Sequence, residues 1–129
     1  MKRVLLVEDS VDVLCLLQVE LELAGYHVDA AMSAELALAK AVRTSPPDVI
    51  VSDLGMPGMD GFEFIRRIRK TAGFASVPAI ALTGSSSDRD VQYALSVGFT
   101  AHVSKPVDAG ELAGRIEQLT ARRLKRRAG

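Results

Sequence analysis

Short apolar runs recur along this chain, and four of them stop at side chains that can do chemistry. Val4-Leu5-Leu6-Val7 stops at Glu8-Asp9, and Val49-Ile50-Val51-Ser52 stops at Asp53. Ala79-Ile80-Ala81-Leu82 stops at Thr83-Gly84, and Ala101-His102-Val103-Ser104 at Lys105-Pro106. Continuous apolar runs bounded by turn residues predict strands buried on both faces, as in parallel sheets. Residues 26–31 predict one more strand.

Between these runs the spacing becomes helical. Residues 10–24 predict a helix with Ser10 as N-cap and Gly25 as its stop. Ser33 caps a second helix to about residue 43, with Glu35 in the first turn where the helix dipole favours it. Pro46-Pro47 blocks further helix. The breakers from Gly55 to Gly61 predict a loop. Residues 62–71 predict a helix with Arg66, Arg67, Arg69 and Lys70 on its outer side. Ser87 or Asp88 opens a helix that Gly98 ends. Asp108 caps the last one, in which Leu112, Ile116 and Leu119 recur at helical spacing. This alternation predicts an α/β fold: a doubly wound, five-stranded parallel sheet with helices on both faces. Right-handed crossovers favour the strand order 2-1-3-4-5. Residues 1–121 read as one domain and 122–129 as a basic C-terminal helix end or tail.

Composition narrows the class. The 129 residues suit one domain with a core of its own. Acidic and basic residues number 16 each, but Arg122, Arg123, Lys125, Arg126 and Arg127 crowd the C-terminus. Without those five the body carries 11 basic against 16 acidic residues, a net of −5. An acidic body argues against a general nucleic-acid surface. Cys15 is the single cysteine, which fits a reducing compartment. No signal-peptide pattern opens the chain, and no apolar stretch reaches the roughly 18 residues of a membrane span. A cytoplasmic protein without membrane contact is expected.

Ligands of open parallel sheets bind at the carboxyl ends of the strands. Glu8, Asp9, Asp53, Thr83 and Lys105 are therefore expected to converge on one crevice. Singly, each reads as a solvated loop residue or a helix cap. Together they sum to −3 from the acids and +1 from Lys105, which a bound Mg²⁺ balances. Mg²⁺ prefers a few carboxylates, waters and a substrate phosphate over an all-protein cage. Asp53 is the best nucleophile, since a carboxylate attacking phosphorus gives an aspartyl phosphate. Lys105 and the Thr83 hydroxyl are placed to neutralise phosphoryl oxygens.

The whole chain resembles the receiver domain of bacterial two-component response regulators. The resemblance rests on Leu5-Leu6-Val7-Glu8-Asp9-Ser10, on Val51-Ser52-Asp53-Leu54-Gly55-Met56-Pro57-Gly58-Met59-Asp60-Gly61, on Ala81-Leu82-Thr83-Gly84 and on Ser104-Lys105-Pro106. It implies a flavodoxin-like receiver fold. It implies that Asp53 takes a phosphoryl group from a phosphohistidine on a histidine kinase or phosphotransfer protein, switching the binding of a downstream partner. It implies that Asp9, Asp53 and the Gly55 carbonyl ligate Mg²⁺ (or Mn²⁺ in its place), with Glu8 acting through a water. Thr83 and Lys105 then contact the phosphoryl oxygens. Such a domain is no general enzyme; it catalyses only its own phosphorylation and dephosphorylation. Gly55 and Ser85 flank the site by the resemblance and are small, so hydrolysis is not expected to be unusually slow. Where the family often carries a mobile Tyr or Phe, this chain has His102, either a switch residue or a half-exposed strand residue.

Three other readings compete. A nucleotide- or flavin-binding domain wants a Gly-rich loop where this chain has Glu8-Asp9-Ser10. An aspartyl phosphatase needs a second acid that Leu54-Gly55-Met56 does not offer. A degenerate binding module has no use for the complete constellation. The chain reads either as a stand-alone regulator or as the receiver of a hybrid kinase. On the first helix Leu14, Leu17 and Leu21 form a core stripe. Leu16, Val19 and Leu23 form a second, flanked by Asp12, Glu20 and Glu22, and Leu16 and Val19 are expected to meet the phosphodonor. The basic tail reads as a solvated helix end suited to the dipole. His27 has no evident acidic partner.

Overall fold

The computed structural model describes residues 1–84 and 87–128. Five strands alternate with five helices: β1 Arg3–Val7, α1 Val11–Leu23, β2 His27–Ala31, α2 Ala34–Ala41 and β3 Val49–Asp53. Then come α3 Gly61–Arg69, β4 Ala79–Thr83, α4 Asp88–Val97, β5 Ala101–Ser104 and α5 Ala109–Ala128. The strands form one parallel sheet in the order β2-β1-β3-β4-β5. The expected doubly wound α/β fold is thus observed.

Side chains alternate across a strand, so each apolar run feeds two cores. Leu5, Val7, Ile50, Ala79 and Ala81 pack under α2, α3 and α4. Val4, Leu6, Val49, Val51, Ile80, Leu82 and Val103 pack under α1 and α5. Burial on both faces is why these strands read as unbroken apolar runs rather than alternating ones.

The helix starts follow local chemistry. Ser10, Ser33 and Ser87 each accept a backbone N–H with their side chains, and Asp108 accepts from Glu111 N at 2.9 Å. Asp60, which the sequence places in a loop, is the N-cap of α3, with Oδ1 2.9 Å from Glu63 N. Leu14, Leu17 and Leu21 are buried as expected, while Leu16, Val19 and Leu23 are 59, 53 and 82 % exposed.

Two expectations fail. Arg69 is not on the outer side of α3. It is half-buried and donates to the carbonyls of Phe74, Val77 and Gly98, stapling α3 to the entry of β4 and the end of α4. Its long side chain carries the guanidinium past the apolar face to carbonyls that no strand satisfies. His27 does have an acidic neighbour: its Nε2 is 3.7 Å from Asp29 Oδ1, on the same face of β2.

Candidate functional site

β1, β3, β4 and β5 deliver the candidate residues to one end of the sheet. β1 and β3 are neighbours in register, Val7 beside Ser52, so Glu8 and Asp9 leave β1 beside Asp53. Asp53 is paired with Leu82 and Thr83 with Ser104, which brings the ends of β4 and β5 alongside. One carboxylate oxygen from each of Glu8, Asp9 and Asp53 lies within 4.8 Å of the others. Glu8, Asp53 and Thr83 are buried, whereas Asp9 and Lys105 are partly exposed at the rim.

Lys105 ties the acids together. Its Nζ is 3.0 Å from Glu8 Oε1 and 3.1 Å from Asp53 Oδ2. A cis peptide joins Lys105 to Pro106, and Lys105 N donates to Thr83 O at 2.8 Å, holding the β5 exit against β4. Glu8 Oε2 accepts from Ser10 N at 3.0 Å and Asp53 Oδ1 from Gly55 N at 3.3 Å. Desolvation pushes the Glu8 carboxyl above its ordinary pKa, against the pull of Ser10 N–H and Lys105. Desolvation works to lower the Lys105 pKa, but its contacts with Glu8 and Asp53 outweigh it and the net shift is upward.

The arrangement leaves two acceptor groups short. A −3 cluster facing a single ammonium has uncompensated charge in a low-dielectric crevice, which a divalent cation offsets. The Thr83 hydroxyl oxygen is fully buried and has no hydrogen-bond partner among the described residues. Buried hydroxyls are nearly always paired, so an unpaired one at a strand end marks a place kept for a ligand atom. The residues present therefore fit both a hard cation and a phosphoryl group.

The loop after β3 is held by a contact the sequence did not suggest. Gly61 N donates to Leu54 O at 2.9 Å, and a Cβ on Gly61 would lie 2.3 Å from Asp53 O. Gly61 lets α3 start directly against the backbone that carries Asp53. The only sequence signal was a glycine at a helix start, which reads as a breaker. Gly55 is exposed at the mouth of the site, beside a cavity of about 340 Å³ lined by Leu54, Asp60, Phe62, Thr83, Gly84 and Asp90. Ser85 lies outside the described residues. His102 is half-buried on β5, beside Ala81, with Nδ1 buried and unpartnered among the described residues. Leu16 lines a groove of about 170 Å³ with Val13, Leu17, Lys105, Pro106 and Val107, next to the site, and Val19 is exposed one turn further along α1.

Residues 4–117 match the family described as the response regulator receiver domain. The chain belongs to that family. It is 42 % identical over 115 residues to a 14.6 kDa protein of the sodA1 3′ region in Leptolyngbya boryana, covering 89 % of this chain and 87 % of that one. It is 39 % identical over 116 residues to the KDP operon transcriptional regulatory protein KdpE of Escherichia coli, covering 90 % of this chain and 50 % of KdpE. The chain thus spans about half the length of the transcriptional regulators it matches. Among solved structures it is similar to the chemotaxis protein CheY4 of Vibrio cholerae, with TM-score 0.88, 34 % identity and coverage of 92 and 98 %. A CheY-like receiver domain from Methanospirillum hungatei superposes with TM-score 0.89 at 28 % identity, covering 98 % of each chain. The protein is a receiver domain of two-component signalling, with the phosphoacceptor role of that family. No described helix is long and apolar enough to cross a membrane.

Proposed function

We propose that Asp53 is the phosphoacceptor and that Glu8, Asp9, Thr83 and Lys105 assist it. The observation that carries this is Lys105 Nζ spanning Glu8 and Asp53 at the strand ends that also bring the buried Thr83 hydroxyl, which has no hydrogen-bond partner among the described residues. In the reaction an Asp53 carboxylate oxygen forms a bond to phosphorus as the donor's P–N bond breaks. The electron pair of that bond leaves on the donor imidazole. Lys105 moves from the carboxylates to one phosphoryl oxygen, and the Thr83 hydroxyl donates to another. Asp9, Asp53 and the Gly55 carbonyl would hold Mg²⁺, or Mn²⁺ in its place, with Glu8 acting through a water. When bound, the cation neutralises the carboxylates and the phosphoryl oxygens together. Water attack on the aspartyl phosphate returns the protein to its starting state, the only other reaction it promotes. Residues 1–121 form the receiver body, and 122–129 a basic C-terminal helix end or tail.

With Mg²⁺ and acetyl phosphate, intact-mass spectrometry should show one added phosphoryl group, stable to acid and labile to base. Asp53→Asn should show none, because an amide is a poor nucleophile. Undiminished labelling of that variant overturns the assignment. Lys105→Ala should retain Mg²⁺ binding and accumulate less phosphorylated protein.

The donor is a histidine kinase or histidine phosphotransfer protein, and its helices meet Leu16 and Val19. The groove leading from Leu16 to Lys105 supports this, because a docked donor would then stand over the site. Leu16→Ala with Val19→Ala should slow transfer from a phosphohistidine protein of the same cell and leave acetyl phosphate labelling unchanged. Equal rates from the protein donor would exclude the surface. Thr83 and His102 form the switch toward the downstream partner. His102 ring resonances should move on phosphorylation, and a fixed spectrum would remove His102 from that role.

A further inference from the structure

The opposite end of the sheet carries a second charged cleft that the phosphoryl site does not use. Ser76, Pro78 and Thr100 approach it from the entries of β4 and β5, and Leu119, Arg122 and Arg123 from α5. Its volume is about 120 Å³, and no acidic residue lines it. That is too small for a drug-sized ligand, for which pockets run from roughly 300 Å³. It suits one compact group. The Thr100 hydroxyl oxygen accepts from Ala79 N at 3.0 Å, which leaves its proton to donate outward. Arg122 is exposed and Arg123 half-buried at the cleft wall.

The C-terminal sequence of α5 is more basic than its helix end requires. The C-terminal dipole of α5 favours a cation or two in its last turn, yet five of residues 122–127 are basic. The half-buried Arg69 lies close by, and burial followed by the charge of Arg123 holds its guanidinium below its ordinary pKa. Two arginines and two hydroxyl-bearing residues lining one small cleft offer the donors that a tetrahedral oxyanion takes. The concave shape distinguishes this cleft from a flat basic stripe suited to a polyanion.

We propose that this cleft binds the phosphate group of a small phosphorylated ligand, between Arg122, Arg123 and the Thr100 hydroxyl. The site is separate from Asp53 and carries its own ligand chemistry.

The test is a titration followed by NMR, in EDTA, so that the acidic crevice stays without cation and repels anions. The probes are inorganic phosphate, pyrophosphate and ADP in separate arms, with short duplex DNA as a fourth. Saturable shifts of the Arg122 and Arg123 Nε resonances and of the Ser76 and Thr100 amides are expected. A response to inorganic phosphate itself would identify the free ion as sufficient. A response only to pyrophosphate or ADP would identify the phosphate of a larger small molecule. Arg122→Gln, an exposed position, should weaken binding about tenfold, as loss of one charged hydrogen-bonding group does. Lys125→Gln lies outside the cleft and should change nothing. Three results would overturn the proposal: no saturable shift with any small probe, equal weakening by Lys125→Gln, or binding to the duplex alone.

Discussion

The two ends of this sheet handle buried polar groups in opposite ways. At the carboxyl end, three carboxylates cluster while Lys105 pairs with only two of them, and the Thr83 hydroxyl finds no partner among the described residues. At the amino end, Tyr26 Oη donates to Glu117, and Lys2 Nζ donates to Glu117 Oε1 and Thr120 Oγ1, each at 2.9 Å. Arg69 donates to three carbonyls there as well. One end pairs the buried groups named here and fastens α5 and α3 to the strands. The other is left short of positive charge and donors, which is the state a phosphoryl group and a cation complete. Unsatisfied polar burial lowers stability and persists where function requires it. The comparison therefore predicts opposite signs for substitutions at the two ends.

The largest expected effect is at Arg69. Arg69→Met keeps much of the apolar stem and removes every donor, leaving the carbonyls of Val77 and Gly98 without their Arg69 partner and Phe74 O with only the 3.4 Å bond from Val77 N. Each unmet group costs about 1–3 kcal/mol, so a loss of about 3 kcal/mol or more is expected in urea unfolding. Gly61→Ala should be nearly as severe, because its clash is with backbone and not with a movable side chain. It should also slow Asp53 phosphorylation in the folded fraction, whereas Arg69→Met should not. If Arg69→Met is neutral, the amino end is not the fastening described.

These two positions show where the sequence was legible and where it was not. The strands were legible because burial on both faces makes unbroken apolar runs, and each run stops at the residue the site uses. Strand order was favoured by crossover handedness and implied by the family resemblance. Arg69 was not legible, since an arginine among Arg66, Arg67 and Lys70 carries the pattern of a solvated face. Only the carbonyls it meets, brought in from β4 and α4, distinguish it. Gly61 read as a breaker, though its role is to let Asp53 O approach. Asp60 was hidden by the glycines and prolines around it. The Tyr26–Glu117 contact joins residues 91 positions apart, and no local pattern encodes it.

Tyr26→Phe tests the latch with an intermediate effect. Tyr26 is 6 % exposed and its ring packs in the core beneath α1 and α5, so the substitution keeps the packing and deletes the donor. Hydrogen bonds to charged groups contribute about 1.5–3 kcal/mol, less where one partner is open to water. Glu117 is well exposed, so a loss of about 1 kcal/mol is expected, with phosphorylation by acetyl phosphate unchanged.

Glu8→Gln should move stability the other way. Desolvation raises the Glu8 pKa, so burial penalises the carboxylate relative to its neutral form. Glutamine supplies that form and still accepts from Ser10 N. Metal-free protein should gain up to about 1 kcal/mol, while Mg²⁺ affinity, read by the Mg²⁺ dependence of Tm, should fall. A destabilised variant would mean that Lys105 compensates Glu8 fully, and the contrast between the two ends would lose its basis.

The smallest effect is the acid dependence of the latch. The phenol of Tyr26 first, then Lys2, hold the Glu117 carboxyl below its ordinary pKa. A carboxyl lowered on folding contributes stability above its unfolded pKa, about 4.3, and loses it as pH falls through the folded value. The Tm difference between wild type and Glu117→Gln should therefore be constant from about pH 5 to 7 and close progressively below about pH 4. Salt should shrink it only in part, since Tyr26 is buried and its phenol is uncharged, whereas Lys2 is open to screening. A difference that widens on acidification would show that Glu117 is ionised against its surroundings, and that the amino end is no better satisfied than the carboxyl end.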